Sequence, residues 1–381
     1  MSTQALEGIT VVSLEQAVAA PFATRQLADL GARVIKIERE SGDFARGYDT
    51  KVHGDASYFV WLNRSKESVV FNLKDDEHIA TVRQLIAEAD VFVQNLAPGA
   101  VESLGLGAAT LQEVNPGLIH VSISGYGRGG PMERKKAYDL LIQCESGLMS
   151  LTGTQDEIAK VGVSIADIAA GMYAYTGVLT ALINRGKTGR GDVIEISMLE
   201  ALGEWIQQPE LYAHYGGVQP PRSGASHASI APYGPFHARD GVVFMGIQNE
   251  REWATFCAHV LNEPKLATSR EYASNSLRVA NREQLNAMIN ESFRAFSTAE
   301  VLSRLDAAGI ANAELRDMNG LATHPQLEAR KRWVHIETPN GTVRVQRPPV
   351  TSREQQWRFG PVPRLGEHTA MVTDEVWGRG K

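Results

Sequence analysis

Cysteine is nearly absent from this 381-residue chain: Cys144 and Cys257 are the only two. Two cysteines cannot build a disulfide framework, and no Cys/His spacing suits a metal. Both are expected to be reduced, buried thiols. Positive charge is also not in excess. With 38 Lys and Arg against 44 Asp and Glu, the net charge is −6, which argues against a generic nucleic-acid partner or an anionic membrane surface. A local basic pocket for an anionic small molecule remains compatible with that balance. The first residues, MSTQALEG, carry no apolar signal core, and no run approaches the ~18 apolar residues of a membrane span. The expected setting is cytoplasmic. G-x-S-x-G, H-E-x-x-H and the Walker loop are all missing, so the hydrolase, zincin and P-loop readings fall away.

What is present is ordinary globular composition, 43% hydrophobic and 22% charged, unlike that of disordered, collagenous or coiled-coil chains. The length exceeds that at which one core usually stops growing, so about two domains are expected. Over the first 125 residues strand and helix signals alternate. TVVSL at 10–14 is a short buried strand, Pro21 opens a helix through Leu30, Gly31 ends it, and RVIKIE at 33–38 is a second strand. That is a βαβ unit with a right-handed parallel crossover. SVVFNL at 68–73, VFVQN at 91–95 and LIHVSISG at 118–125 continue the series, with Asp75 or Asp76 able to cap the helix after the third strand. The pattern implies an open, doubly wound α/β domain.

Residues 167–185 read as a helix apolar nearly all round, hence buried, and 192–198 as a strand. The stretch 215–236 has four prolines, four glycines and no periodicity, as expected of a linker or active-site loop. GVVFMGI at 241–247 then starts a second, mostly helical region with helices at 250–262, 281–296 and 298–308. The last opens on Ser297-Thr298-Ala299-Glu300, a capping-box pattern. WVHIET and TVRVQ follow as short strands.

Four features bear on chemistry. Gly125-Tyr126-Gly127-Arg128-Gly129-Gly130 follows the fifth strand, but Pro131 and the charged run Glu133–Lys136 intervene before any helix. That context does not fit a dinucleotide fingerprint; a turn or a loop beside a ligand fits better. Arg134-Lys135-Lys136 is a basic run. It is either a solvated loop or a phosphate site at the C-terminal edge of the sheet, where Arg39 also lies. Asp167 opens the apolar helix. It is a favoured residue for an N-cap, or a carboxylate nucleophile that the helix dipole keeps ionised. His227 sits among small residues in the irregular loop.

The passages that combine these features resemble the class III coenzyme A-transferases. They are LEGITVVSLEQAVAAPFATRQLADLGARVIKIER at 6–39, NRSKESVVFNLK at 63–74, VQNLAPGAVESLGLG at 93–107, LIHVSISGYGRGGP through YDLLIQCESGLMSLTG at 118–153, VGVSIADIAAGMYAYTGVLTAL at 161–182, and PRLGEHT at 363–369. The resemblance spans essentially the whole chain. It implies a Rossmann-like doubly wound large domain over 1–210, a linker or active-site loop at 211–235, a smaller α+β domain at 236–325, and a return segment at 326–381. It also implies an interlocked homodimer. The family's catalytic aspartate falls on Asp167. Its CoA-contacting positions fall on Val18, Arg39, Phe71, Asn72, Leu73, Lys74, Asn95, Leu96, Ala97, Lys136, Ala137, Tyr138 and Asp139, and its acid-binding ones on Gln16, Tyr48 and His227. The CoA thioester is then a substrate, with no tightly bound cofactor and no metal.

Where formyl-CoA transferase has a glutamine and a tryptophan, this chain has Val18 and Tyr48, and the tetraglycine lid is missing. Formate and oxalate are therefore disfavoured. The loop Gly224-Ala225-Ser226-His227-Ala228-Ser229-Ile230-Ala231-Pro232-Tyr233 instead looks like that of the glutarate, citramalate and itaconate transferases. The expected reaction moves CoA from succinyl-CoA to a small dicarboxylate through an aspartyl-CoA thioester. The alternatives are an α-methylacyl-CoA racemase, which has a histidine at the position of Tyr138, and a non-catalytic CoA-binding protein. Tyrosine, ionising ordinarily near pH 10, is a poor general base at neutral pH.

Overall fold

The computed structural model describes residues 4–378, which fall into two compact units. One holds the chain up to Leu148, Val161–Gln208 and the chain from Ala329 on; the other holds Met149–Lys160 and Pro209–Glu328.

The first unit is built on a six-stranded sheet: β1 (Thr10–Leu14), β2 (Arg33–Glu38), β3 (Lys66–Val70), β4 (Val91–Gln94), β5 (Ile119–Ser124) and β6 (Val193–Ser197). Every neighbouring pair is parallel, in the order β3-β2-β1-β4-β5-β6. That is the doubly wound order, and it reverses direction between β1 and β4. Strands covered on both faces need apolar side chains at consecutive positions. Val11, Val12, Val34, Ile35, Val91 and Phe92 meet that need and are buried. One face packs on the helices Ala19–Asp29 and Ile165–Thr188, the other on Asp76–Ala87.

Pro21 is the third residue of its helix, still within the turn whose N–H groups lack intrahelical partners. Asp75 caps the Asp76–Ala87 helix, accepting from Glu77 and His78 N–H. The third strand stops at Val70 and not at residue 73, because Asn72 turns the chain: its Oδ1 accepts from Lys74 N–H at 3.1 Å and its carbonyl from Asp75 N–H. The exposed edge of β3 is covered by the returning chain. Thr369 Oγ1 accepts from Val70 N–H at 2.9 Å, and His368 N–H donates to the Ser68 carbonyl at 2.9 Å. The GEHT segment thus closes an edge that would otherwise template foreign strands.

Two expectations about the long helix change. It buries one stripe, Ala166, Ala169, Ala170, Ala174, Val178 and Ala181, and not its whole circumference; Ile183 is 65% exposed. It is also long and apolar enough to cross a membrane by length and composition, despite its interspersed polar residues. Its buried small residues lie in the same core as the Ala19–Asp29 helix, which accounts for that composition. A hairpin of β10 (Trp333–Thr338) and β11 (Gly341–Gln346) completes this unit, after the second unit's three strands.

The second unit contains a smaller antiparallel sheet, β7 (Tyr233–His237), β8 (Val242–Gly246) and β9 (Ala311–Glu314). It packs with the helices Glu250–His259, Arg282–Phe293 and Thr298–Ala307 around Phe236, Val243, Trp253, Phe256 and Phe293. The Ser297–Glu300 capping box forms as the sequence predicts. Cys257 is buried here, and burial pushes its thiol up to about 12. Cys144 is exposed, contrary to expectation, because it lies next to the inward-facing Ile142 and Gln143 on the opposite side of its helix.

Candidate active site

Strands that diverge at a switch point leave a crevice at their carboxyl ends. Here Gln16, just past β1, and Asn95, just past β4, bridge it. Asn95 Oδ1 accepts from Gln16 N–H and Asn95 Nδ2 donates to the Gln16 carbonyl, both at 2.9 Å. Beside this bridge, the loops after β2 and β3 frame a cavity of about 520 Å³. Gln16, Arg39, Phe71, Asn72, Leu73, Lys74 and Leu96 line it together with residues 40–43. Residues that the resemblance assigned to CoA and acid binding thus share one cavity. Arg39 Nε donates to the Gly42 carbonyl at 2.9 Å, which shapes the loop. Among the described residues no protein group takes its two Nη groups. Ala97 stands outside the lining and opens the next short helix, its carbonyl accepting from Ala100 N–H. Val18 is also outside, with its side chain buried, so a ligand could meet only its backbone.

The floor of this cavity is a buried ion network that sequence reading missed. Lys66 Nζ donates to Glu15 Oε1 at 2.7 Å and Lys36 Nζ to Asp43 Oδ2 at 2.8 Å, all four side chains being fully buried. Burial pulls both lysines down. For Lys36 the Glu15 and Asp43 carboxylates outweigh it, whereas Lys66 ends at about 8. Burial also pushes Glu38 up, but its hydrogen bond to Arg46 and the Lys36 charge win and hold it at about 2. Asp43 Oδ1 accepts from Ala17 and Ala45 N–H, so the network ties the loop after β1 to the loop after β2. The available signal was Lys36, a charge in the middle of the apolar run RVIKIE.

Asp167 is surrounded by a second group of the predicted residues. It is the third residue of the Ile165–Thr188 helix and therefore not its N-cap. Burial, and then the Asp139 carboxylate, push its carboxyl up to about 7. The expectation that the helix dipole keeps it ionised is overruled: desolvation and a like charge exceed the dipole's contribution. Among the described residues no group donates to the Asp167 carboxylate. Asp139, expected as a CoA contact, accepts from the N–H groups of Ala166 and Asp167, at 2.8 and 3.4 Å. Tyr48 lies near enough to Asp167 for the two to interact. Its phenol is pushed up to about 12 by burial, then by Asp43, Asp167 and Tyr138.

Both phenols remain accessible, Tyr48 at 48% and Tyr138 at 69%. Ala137 packs on the glycine loop, where a Cβ at Gly125 would come 2.1 Å from the Ala137 Cβ. Only glycine lets these two segments approach so closely. Lys136 is exposed beside them, while Lys135 pairs with Glu145. A chain of rings runs from the cavity to Tyr48: the Arg39 guanidinium lies 5.7 Å from the Phe44 centroid and Phe44 6.0 Å from Tyr48.

His227 belongs to the second unit. Its Nδ1 accepts from Ser229 N–H at 3.2 Å, which in the neutral ring leaves the proton on Nε2. The ring stacks on Tyr233 with centroids 5.2 Å apart. Asn275, Arg278 and Arg282 hold the loop's carbonyls at Ser229, Ala231 and Ala228. This loop is braced by side chains and is not a free linker.

The family model for CoA-transferase family III matches residues 6–369. The chain belongs to CoA-transferase family III. It is similar to the human (Homo sapiens) succinyl-CoA:glutarate CoA-transferase, 34% identical over 376 residues that cover 97% of this chain and 86% of that protein. It is equally similar to the acetyl-CoA:oxalate CoA-transferase of Acetobacter aceti, 34% identical over 375 residues covering 97% and 95%. A crystal structure of a CAIB/BAIF family protein from Brucella suis matches with a TM-score of 0.88 at 32% identity, covering 99% of this chain and 100% of that one. A family III CoA-transferase takes CoA thioesters as substrates. In this one, a crevice with an available guanidinium and a half-buried carboxylate occur in the same unit.

Proposed function

We propose that this enzyme moves CoA from succinyl-CoA to a small dicarboxylate such as glutarate, citramalate, itaconate or mesaconate, through an aspartyl-CoA thioester on Asp167. The observation that carries the reading is the state of Asp167: a half-buried carboxylate to which no described group donates, raised to about 7, within interaction range of the accessible Tyr48. Such a group is ionised in a large fraction at neutral pH and poorly solvated, which suits a nucleophile. The human relative, a succinyl-CoA:glutarate CoA-transferase, supports a succinyl donor and a dicarboxylate acceptor. The oxalate relative shares the same identity, so overall likeness does not choose the acid.

Asp167 attacks the donor thioester carbonyl, the C–S bond breaks, and a mixed anhydride and CoA thiolate result. The thiolate attacks the aspartyl carbonyl, giving aspartyl-CoA and releasing succinate. The acceptor carboxylate attacks this thioester and expels the thiolate, forming a second anhydride. The thiolate then attacks the acceptor carbonyl and frees Asp167. Every step is acyl transfer between oxygen and sulfur, so no tightly bound cofactor is needed. In this reading Arg39 and Lys136 hold CoA phosphates by charge-assisted hydrogen bonds, and Gln16 and Tyr48 face the acid. A racemase would need a second acid–base group, and position 138 offers only Tyr138. An interlocked homodimer is part of the proposal. Exposed apolar side chains including Ile183, Val193, Trp205, Leu211 and Tyr215 support it, since a second copy would cover such surface.

The test is a panel of succinyl-CoA and acetyl-CoA against glutarate, itaconate, citramalate, mesaconate, oxalate and butyrate, read by mass spectrometry. Succinyl transfer to the longer dicarboxylates is expected, with an Asp167 adduct trapped by hydroxylamine when acyl-CoA is given alone. Transfer confined to oxalate overturns the acceptor assignment, and a wild-type protein that leaves no adduct overturns the covalent route.

A further inference from the structure

The long helix lacks a cap of its own. Ser164 holds the N-cap position, but its side chain caps nothing. The donors of the first turn are met from another element, by Asp139 Oδ1 at Ala166 and Asp167 N–H. The other oxygen of Asp139 accepts from Gln143 Nε2 at 2.7 Å. Gln143 is fully buried, and its own oxygen accepts from Val161 N–H at 2.9 Å. Asp139 and Gln143 stand one turn apart on the Asp139–Glu145 helix. Together they grip both the approach to the long helix and its first turn. Two carboxylates therefore stand side by side, Asp139 with its hydrogen bonds made and Asp167 with none received from the described residues.

We propose that Asp139 is a positioning residue for Asp167: it fixes the backbone that carries the nucleophile and sets a second carboxylate beside it. The proposal rests on Asp167 being the nucleophile. Acylation converts the Asp167 carboxylate into a neutral anhydride and then a neutral thioester, so the repulsion between the two carboxylates is relieved as the covalent bond forms. An interaction that is unfavourable in the ground state and absent after acylation lowers the barrier to that step. The same charge makes Asp167 harder to ionise. Asp139 thus raises the rate once Asp167 is ionised, and moves that ionisation to higher pH.

The other ionisable groups on the surrounding elements are engaged elsewhere. Arg25 pairs with Asp29, Glu145 with Lys135, Glu195 with Arg128 and Glu204 with Tyr173, while His120 meets Phe92 edge-to-face and Glu200 lies beside Gly127. Tyr48 faces Asp167 too, and Tyr138 adjoins Asp139 in sequence. The Tyr48 phenol, pushed up to about 12, carries no charge at neutral pH.

The two effects oppose each other, and their combination is the signature. Single-turnover acylation by succinyl-CoA, followed as succinate release between pH 5 and 9, is compared in wild type, Asp139→Asn and Asp139→Ala, with melting curves as the folding control. In Asp139→Asn, which keeps an oxygen for the helix N–H groups, removing one neighbouring charge should move the acid limb down by about one pH unit. The rate on the alkaline plateau should fall about tenfold. The two profiles then cross. Asp139→Ala should lose more of the plateau, having lost the cap as well; if it does not fold, Asp139→Asn alone decides. An Asp139→Asn profile with the wild-type limb and plateau overturns the proposal. So does a uniform loss with no shift of the limb, which is what a purely structural role produces. A wild type that forms no adduct overturns the nucleophile reading, and this proposal with it.

Discussion

Replacing Asp167 by asparagine should remove activity and strengthen the fold, with a pH dependence that follows from the site. Asparagine keeps the shape and deletes the charge. In the folded protein the Asp167 carboxyl lies at about 7 against an ordinary 3.8, chiefly through burial and secondly through Asp139. A group whose pKa is raised by folding stabilises the fold fully below its unfolded value and loses that contribution as pH climbs to its folded value. Above about pH 7 the ionised Asp167 is therefore a constant liability. The difference between 7 and 3.8, at about 1.36 kcal/mol per pH unit, sets an upper limit of about 4 kcal/mol. Asp167 keeps some access to solvent, which screens the charge, so the realised figure should be about 1–3 kcal/mol. Asp167→Asn should then melt a few degrees above wild type at pH 8. The gain should be near zero at pH 4, partly developed between about pH 5 and 6, and flat above about pH 7. Calorimetry of both proteins over that range measures it, and the transferase assay on the same samples shows the lost activity. A variant less stable than wild type at pH 8, or a gain independent of pH, would refute the account of Asp167 as a carboxylate held at a cost.

Two further outcomes concern the ligands. Arg39→Ala and Lys136→Ala should each raise KM for every CoA ester by a similar factor, about 10- to 150-fold, the equivalent of roughly 1.5–3 kcal/mol for a charge-assisted contact. An effect seen with one acyl group only would mean that they read the acid. His227→Ala should cost glutarate or itaconate about 1.5–3 kcal/mol in kcat/KM and leave butyrate nearly unchanged, if its Nε2–H donates to the remote carboxylate. Comparing the two acid classes in both proteins decides it, and an equal loss for both would reject that role.

The buried network beneath the cavity has a consequence for such experiments. Glu15, Lys36, Asp43 and Lys66 hold the loops that present Gln16 and Arg39. Removing one member strands an uncompensated charge in the interior, which costs far more than the pair contributes. Lost activity in such variants reports the loop's position and not a direct contact with CoA.

The sequence alone determined whatever depends on neighbours along the chain. Unbroken apolar runs of about five residues separated by helical stretches demand a covered parallel sheet, so the doubly wound unit is legible in the order of residues itself. The Asp75 cap and the Ser297–Glu300 box are legible for the same reason, since each joins groups three residues apart or closer. The resemblance carried the positions of the cavity residues, and seven of them line one space. Tertiary structure decided what depends on residues far apart. Asp139 lies 28 positions from Asp167 and Glu15 lies 51 from Lys66, so no local pattern announces either contact. The acidity of Asp167 is misjudged from sequence for that reason. A helix terminus is visible in a sequence, whereas the desolvation and the second carboxylate that overrule it arise only when distant segments pack together.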